Sequence, residues 1–182
     1  SVHPRGKMNV LASGTVGKQD LLLLAGPVSK SFSNAFPNHP LTFSTAVDGN
    51  FNELTLRQKA ELPGVLKLDA SGKLTNVGDS VRRAGDFRIN SETGNLNFFL
   101  AALSVKDRGN YRIPSGMKLV GNASLKNGTY HADFIMHEGR GSANLLATFN
   151  PTHETYEVNM MVDNLQMTHF MPKDSLYSLS GT

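Results

Sequence analysis

The chain of 182 residues has no cysteine and no tryptophan. The first absence excludes disulfides and thiolate metal ligands. Long apolar runs are also missing: the longest, Phe98 to Leu103, has six residues, far short of the roughly 20 that cross a bilayer as a helix. Charge is sparse, at 18% of residues, with 18 Lys and Arg against 15 Asp and Glu and a net charge of +3. The densest basic stretch is Arg82-Arg83. A nucleic-acid binder concentrates basic residues on one face among stacking aromatics, so no nucleic-acid partner is expected. At its start, Ser1-Val2-His3-Pro4-Arg5, the chain lacks an initiator Met and the charged-then-apolar layout of a signal peptide. The expectation is an internal piece of a longer protein, with any membrane anchor or export signal outside it.

What is abundant is turn chemistry. Gly (17) and Asn (16) make up 33 residues, about 18% of the chain, a composition suited to many short strands and tight turns. Alternation with period 2, the mark of half-buried strands, dominates the pattern. Leu41, Phe43, Thr45 and Val47 share one face of a strand, opposite Thr42, Ser44 and Ala46. Leu66, Leu68, Ala70 and Leu74 alternate with Lys67, Asp69, Ser71 and Lys73. Met117, Leu119, Ala123 and Leu125 alternate with Lys118, Asn122, Ser124 and Lys126. Tyr130, Ala132, Phe134 and Met136 alternate with His131, Asp133, Ile135 and His137, and Tyr156, Val158, Met160 and Val162 with Glu157, Asn159, Met161 and Asp163. One apolar and one polar face per strand describes an antiparallel sheet wetted on one side.

Turn signals separate these runs: Asp48-Gly49-Asn50, Ser71-Gly72-Lys73, Thr93-Gly94-Asn95, Asn127-Gly128, Glu138-Gly139-Arg140-Gly141 and Asn150-Pro151-Thr152-His153. From Met117 to Met171 the order reads as a four-stranded meander, whose Asn127-Gly128 hairpin is its strongest local signal. Ala35 to Pro40, with two prolines, reads as a loop or edge crossing. Phe98 to Val105 is apolar on both faces, so a buried strand and a short helix both fit. Pro172 to Leu179, closed by Gly181, reads as a short helix. No domain boundary is visible. The predicted class is all-β: one segment over 1–182, a curled antiparallel meander sheet with one or two short helices.

No catalytic, cofactor or metal site is expected. His131, His137, Glu138 and His153-Glu154 lack short metal-ligand spacing and read as polar positions beside turns. Asp48-x-Asn50-x-Asn52 begins like a calcium loop but has Glu53 at the sixth position and Lys59 at the twelfth, where Gly and Glu are needed. Gly139-Arg140-Gly141 lacks the rest of a phosphate loop, and no Gly-x-Ser-x-Gly elbow is present. Glu53, Glu61, Asp86, Asp107 and Glu157 are scattered among polar neighbours. The expectation is a protein that is not an enzyme.

Two long phrases carry a family likeness: Leu41-Thr-Phe-Ser-Thr-Ala-Val-Asp-Gly-Asn-Phe-Asn-Glu-Leu-Thr-Leu56, and Leu62-Pro-Gly-Val-Leu-Lys-Leu-Asp-Ala-Ser-Gly-Lys-Leu74. A third, from Val162 to the closing Leu179-Ser180-Gly181, completes it. Together they resemble the AsmA/TamB group of Gram-negative envelope proteins, with their apolar–x–apolar blocks and Leu-Ser-Gly block starts, over about three quarters of the chain. The resemblance implies a periplasmic body, anchored in the inner membrane by a helix outside this sequence and acting in outer-membrane biogenesis. It implies a taco-like sheet whose apolar groove handles phospholipid acyl chains or nascent strands of an outer-membrane β-barrel protein or its assembly factor. Candidate groove residues are then Leu41, Phe43, Val47, Leu66, Leu68, Met117, Leu119, Tyr130, Phe134, Met136, Tyr156, Val158, Met160 and Val162. Unpaired terminal strands in such a segment allow edge-strand self-association. The same alternation also fits a β-sandwich adhesion or binding module with an ordinary closed core.

Overall fold

A computed structural model describes residues 6–103, 109–173 and 179–181. Ten strands form one antiparallel sheet in which sequence order is spatial order. They are β1 (Met8–Val16), β2 (Leu41–Gly49), β3 (Glu53–Leu62), β4 (Leu66–Thr75) and β5 (Ala84–Thr93), then β6 (Lys118–Lys126), β7 (Thr129–Glu138), β8 (Gly141–Asn150), β9 (Thr155–Leu165) and β10 (Leu179–Gly181). The sheet is open, because β1 pairs only with β2, and β10 only with β9. All described strands belong to this one sheet, which removes the sandwich alternative: no second sheet faces it.

Most turns follow the local chemistry, but Ser71-Gly72-Lys73, expected as a turn, lies inside β4, where Gly72 is paired on both sides. Asn127 (φ 51°) and Gly128 (φ 75°) take the left-handed pair of angles that a two-residue hairpin needs. Between β3 and β4, Val65 N–H donates to the Leu62 carbonyl at 2.9 Å across Pro63-Gly64, with Gly64 at φ 69°. Pro then positive-φ Gly is the type II turn sequence. Asn50 Oδ1 accepts from the backbone N–H groups of Asn52 and Glu53 (2.8 and 3.2 Å), so the calcium-like stretch is a side-chain-closed turn.

Connections sort by end. At one end the links are short: 50–52, 76–83, 127–128 and 151–154. The other end holds every described helix. The β1–β2 link contains α1 (Lys18–Leu24) and α2 (Lys30–Ala35), the β5–β6 link a 3-10 helix (Asn97–Ala102), and the β9–β10 link α3 (Met167–Phe170). Of the stretch from Phe98 to Val105, Phe98 to Ala102 is therefore helical and not a buried strand, Leu103 follows the helix in extended conformation, and residues 104–105 lie outside the described set. The loop after the first Pro-rich stretch starts only at Phe36, since Ala35 ends α2. The short helix expected over Pro172 to Leu179 falls mainly on residues outside the described set. Pro172 and Lys173 form a turn after α3, Leu179 belongs to β10, and residues 174–178 lie outside the described set. A proline at 172 closes a helix more readily than it continues one.

The helical links bind one another. Phe32 of the first packs at a tilt against Phe98 and Phe99 of the second, and Phe36 meets Phe98 edge-on, with centroids 5.1–5.8 Å apart. The Ile113 N–H donates to Asn97 Oδ1 at 2.8 Å, and the Arg112 N–H reaches the Phe170 carbonyl of α3 at 2.7 Å. Four of the five buried apolar residues, Leu62, Val65, Ala101 and Met117, lie at this end; Leu54 is the exception. No described side chain is fully enclosed. Accessible surface totals 12306 Å², against roughly 8,600 Å² for a compact monomer of this mass. Most of the sheet is thus uncovered.

The 76–83 link supplies a pH prediction. Asp79 accepts hydrogen bonds from the backbone N–H groups of Arg82 and Val81 (3.0 Å each) and from Arg82 Nε (2.7 Å). The Arg82 backbone bond most of all, then its side-chain bond, lowers the carboxyl pKa from 3.8 to about 2. A depressed acid contributes stability above its unfolded pKa, so the turn keeps this support above about 4 and loses it as pH falls through about 2. An NMR titration is expected to put the Asp79 midpoint near 2, and Arg82→Ala to raise it; an unshifted midpoint in the parent chain contradicts the geometry.

Candidate functional site: the apolar face

Residues directly opposite in an antiparallel ladder share a face, so the register assigns every strand residue a side. Starting from Phe43, the partners run Ala60, Leu68, Ser91, Leu119, Met136, Ala143 and Val162. The next rows towards the hairpin end begin at Thr45, Val47 and Gly49. The thirteen candidate residues that lie within strands, Leu41, Phe43, Val47, Leu66, Leu68, Leu119, Tyr130, Phe134, Met136, Tyr156, Val158, Met160 and Val162, all fall on this one face. Met117, one residue before β6, has the same parity and is buried where its carbonyl accepts from the Thr93 N–H at 2.9 Å.

From β1 to β9 this face carries one carboxylate, Glu138, at its helical end, and no Lys, Arg or His. The Glu138 carboxylate is buried (6% exposed) and meets His169 Nδ1 of α3 at 2.7 Å. Gln58 is the only strand amide on the face until Asn164 at the far end of β9, and its Oε1 accepts from the hydroxyl of Thr45 directly opposite. Gln58 and Thr45 thus satisfy each other, whereas Glu138 pairs through Oε1 alone and its buried Oε2 has no hydrogen-bond partner.

Small residues shape the surface. Ala123, Ala132 and Ala147 lie side by side on β6, β7 and β8. Phe87 is opposite Ala123, and Leu125, Tyr130 and Phe149 form the neighbouring row. The result is a depression of about 310 Å³, lined chiefly by Leu74, Phe87, Leu125, Tyr130, Phe149 and the three alanines. That volume lies at the lower end of small-molecule sites, about 300–1,000 Å³. Three glycines face aromatic rings in the same manner: Gly14 opposite Phe43, Gly72 opposite Phe87 and Gly121 opposite Phe134. A Cβ on Gly72 or Gly121 would come within 2.5 Å of the facing ring's Cδ1, so each ring lies against the bare backbone.

Exposure rises towards both sheet edges. Leu68, Leu119 and Phe134 are half-buried, but Val158 is 58% and Met160 56% exposed, and Tyr156 reaches 80%. These residues do not converge on a closed interior; they form one side of an open sheet. Phe134→Ala is accordingly expected to cost about 1–2 kcal/mol, below the roughly 3–5 of a fully buried Phe. Chemical denaturation measures it, and a loss in the higher range would require Phe134 to be enclosed.

The opposite face is polar and holds a larger depression, about 670 Å³, bordered by Thr42, Ser44, Lys59, Glu61, Lys67, Asp69, Asn90, Glu92 and Lys118. Its charges answer each other: Lys59–Asp69 at 3.6 Å and Glu61–Lys67 at 3.4 Å bridge β3 and β4. Exposed pairs of this kind add little stability, and Glu92 and Lys118, opposite each other in the register, border the same depression. His131 and His137 lie on this polar face, whereas Glu138 points to the apolar one. Among the described residues no group of three or more His, Asp or Glu is placed to hold a metal ion.

Sequence reasoning placed β8 in the meander but left its Ala143, Leu145, Ala147 and Phe149 out of the candidate set, and it missed β5, whose Phe87 and Ile89 share the apolar face with them. The signal was present as period 2 but diluted by Ala, Gly and Ser. No described helix is long and apolar enough to cross a membrane. No family model matches the chain, and neither a curated protein nor a solved structure is significantly similar to it.

Proposed function

We propose that this chain is a non-enzymatic segment of an AsmA/TamB-like cell-envelope protein, acting in the periplasm in outer-membrane biogenesis, and that its apolar face carries phospholipid acyl chains. The observation that carries the reading is a nine-strand apolar face with a single buried, paired carboxylate and no covering layer along most of its length. Exposed apolar surface of this extent marks an interaction site. Acyl chains need area without fixed polar partners, which fits a face whose few polar groups lie mostly at its helical end. Twist accumulating at about 20–25° per strand pair favours curling of so wide a sheet, and curling would deepen the face into the groove the family resemblance implies. Membrane anchoring of the whole protein and contact with an outer-membrane assembly factor belong to the same proposal.

The test is to purify the chain from a Gram-negative host without detergent, extract it with organic solvent and identify lipids by mass spectrometry. Phospholipid recovered in proportion to protein, and transfer of a fluorescent phospholipid from vesicles to the chain, are the expected results. A lipid-free chain that takes up no fluorescent phospholipid overturns the reading. Uptake of an alternating β-barrel peptide in place of lipid would move the function to strand handling.

A further inference from the structure

The two ends of the strands differ in charge. The short links 50–52, 76–83, 127–128 and 151–154 carry Arg82 and Arg83 against Asp79 and Glu154, which cancel. At the helical end the described links carry Lys18, Lys30, Arg112, Arg140 and Lys173 against Asp20 alone. Residues 104–108 and 174–178 of the same links add two charges of each sign. The nearest row of the polar face alternates Glu61, Lys67, Glu92 and Lys118 and ends on Asp163, a single negative excess. The helical end is thus positive overall. Among the described residues none of its five basic link side chains forms an ion pair. Lys18 Nζ donates to the Phe36 carbonyl at 2.7 Å and Lys173 Nζ to Asn110 Oδ1 at 3.4 Å, both neutral partners. The same end exposes large apolar side chains: Leu23 and Leu24 of α1 are 80% and 79% exposed, and Phe99 and Tyr111 are exposed beside them in the chain's other long link. The Lys18–Phe36 bond ties the start of α1 to the end of α2, and Phe32 of α2 packs on Phe99, so these links form one connected support.

We propose that the helical end of the sheet docks on the surface of an anionic phospholipid bilayer, with Leu23 and Leu24 entering the interface and the basic link residues facing the headgroups. The proposal is independent of what the apolar face carries. Charge complementarity selects the occupant. The five basic residues come from four separate links, between β1 and β2, β5 and β6, β7 and β8, and β9 and β10. Strands lie about 4.8 Å apart, so these links spread over about 40 Å along the sheet. No small anion spans that distance, whereas a bilayer presents negative charge over all of it. Exposed leucines and a tyrosine among lysines and arginines are the composition of a segment that lies in a membrane interface. Each basic residue near an anionic bilayer strengthens binding about fivefold. The opposite end has neither the charge excess nor a pair of adjacent exposed leucines.

The test is co-sedimentation of the chain with vesicles of equal parts phosphatidylcholine and phosphatidylglycerol, beside vesicles of phosphatidylcholine alone. The parent chain is expected to sediment with the anionic vesicles, more weakly as salt rises, and to leave the neutral ones. Lys30→Glu with Arg140→Glu is expected to weaken binding about 30-fold or more. Arg83→Glu with Lys126→Glu makes the same change of net charge at the other end and is expected to bind as the parent does. Leu23→Gln with Leu24→Gln is expected to weaken binding about tenfold or more. All six positions are exposed, and unchanged circular dichroism melts verify the fold. Met160→Asp, on the apolar face, should sediment with the vesicles as the parent does, which separates docking from lipid carriage. A parent chain that ignores anionic vesicles overturns the proposal, as does equal sedimentation with neutral ones. Equal loss in the two charge-reversed pairs, or loss in Met160→Asp, takes binding away from the helical end and overturns it too.

Discussion

Met160→Asp is expected to abolish phospholipid uptake and leave the sheet folded. Met160 lies on the apolar face opposite Leu145 and is 56% exposed, so the chain does not depend on enclosing it. A carboxylate there stays hydrated in the free protein. The stability change should remain within about 1 kcal/mol, the span of strand preferences. Binding an acyl chain over the same carboxylate strips its water with no cation in reach, a penalty of several kcal/mol. Each 1.4 kcal/mol is a factor of ten, so affinity should fall by about 100-fold or more. Asn159→Asp adds the same charge one residue away on the opposite face and should bind as the parent does. Lys126→Ala, also on the polar face, should be silent as well. Titration with a fluorescent phospholipid, beside thermal melts, reads all three variants. Undiminished uptake by Met160→Asp, or equal loss in Asn159→Asp, would detach lipid binding from this face.

Much of this face was legible because the period of a strand and the pairing rule of an antiparallel sheet agree. Alternation fixes which residues of one strand share a side, and direct opposition carries that assignment to the next strand. Leu68, Leu119, Phe134 and Met160 could therefore be grouped without knowing the register of any single pair. The facing of β8 escaped, though the strand itself was read, because Leu145 and Leu146 are adjacent and Ala143 and Ala147 are weakly apolar, which blurs the alternation in Gly141–Asn150. Ala147 also lines the depression between Phe87 and Phe149, so a residue that hid the facing of the strand helps to shape the surface.

The helical end was less legible for a different reason. Lys18–Leu24 offers four consecutive leucines, which show no 3.6-residue period, and Leu23 and Leu24 are about 80% exposed. Lys30–Ala35 does carry a readable start, since Ser29 Oγ accepts from the Phe32 N–H at 3.2 Å. Its purpose appears only in three dimensions, where Phe32 and Phe36 meet Phe98 and Phe99 from more than sixty residues away in sequence. Glu138 and His169 are 31 residues apart, and nothing in the local pattern of either announces the contact. Long-range pairing of this kind is set by which connections share a sheet end, a property of topology and not of any window of sequence.

Gly121→Val should cause the largest loss of stability among these variants. Gly121 is buried in β6, and a Cβ there would sit 2.5 Å from Phe134 Cδ1, 2.7 Å from Phe134 Cα and closer still to the Asp133 carbonyl oxygen. Flexible side chains can yield to such contacts, but the backbone of the paired strand cannot. Valine adds two further carbons to the crowded position. Overpacking of this kind costs about 1–3 kcal/mol, occasionally more, and a backbone clash places this case at the upper end. For a chain of this length each kcal/mol moves Tm by about 2–4 °C, so a fall of about 6–12 °C is expected. Gly78→Ala is the control, since a Cβ there meets nothing within 4 Å, and Tm should move by no more than about 2 °C. Phe134→Ala in the Gly121→Val background separates the two obstructions. Removing the ring should recover part of the loss, a coupling of about 0.5–3 kcal/mol, while the Asp133 carbonyl stays in the way. A Gly121→Val chain that melts with the parent would mean that Phe134 does not lie on the glycine, and that the apolar face is built without its ring-over-backbone pairs.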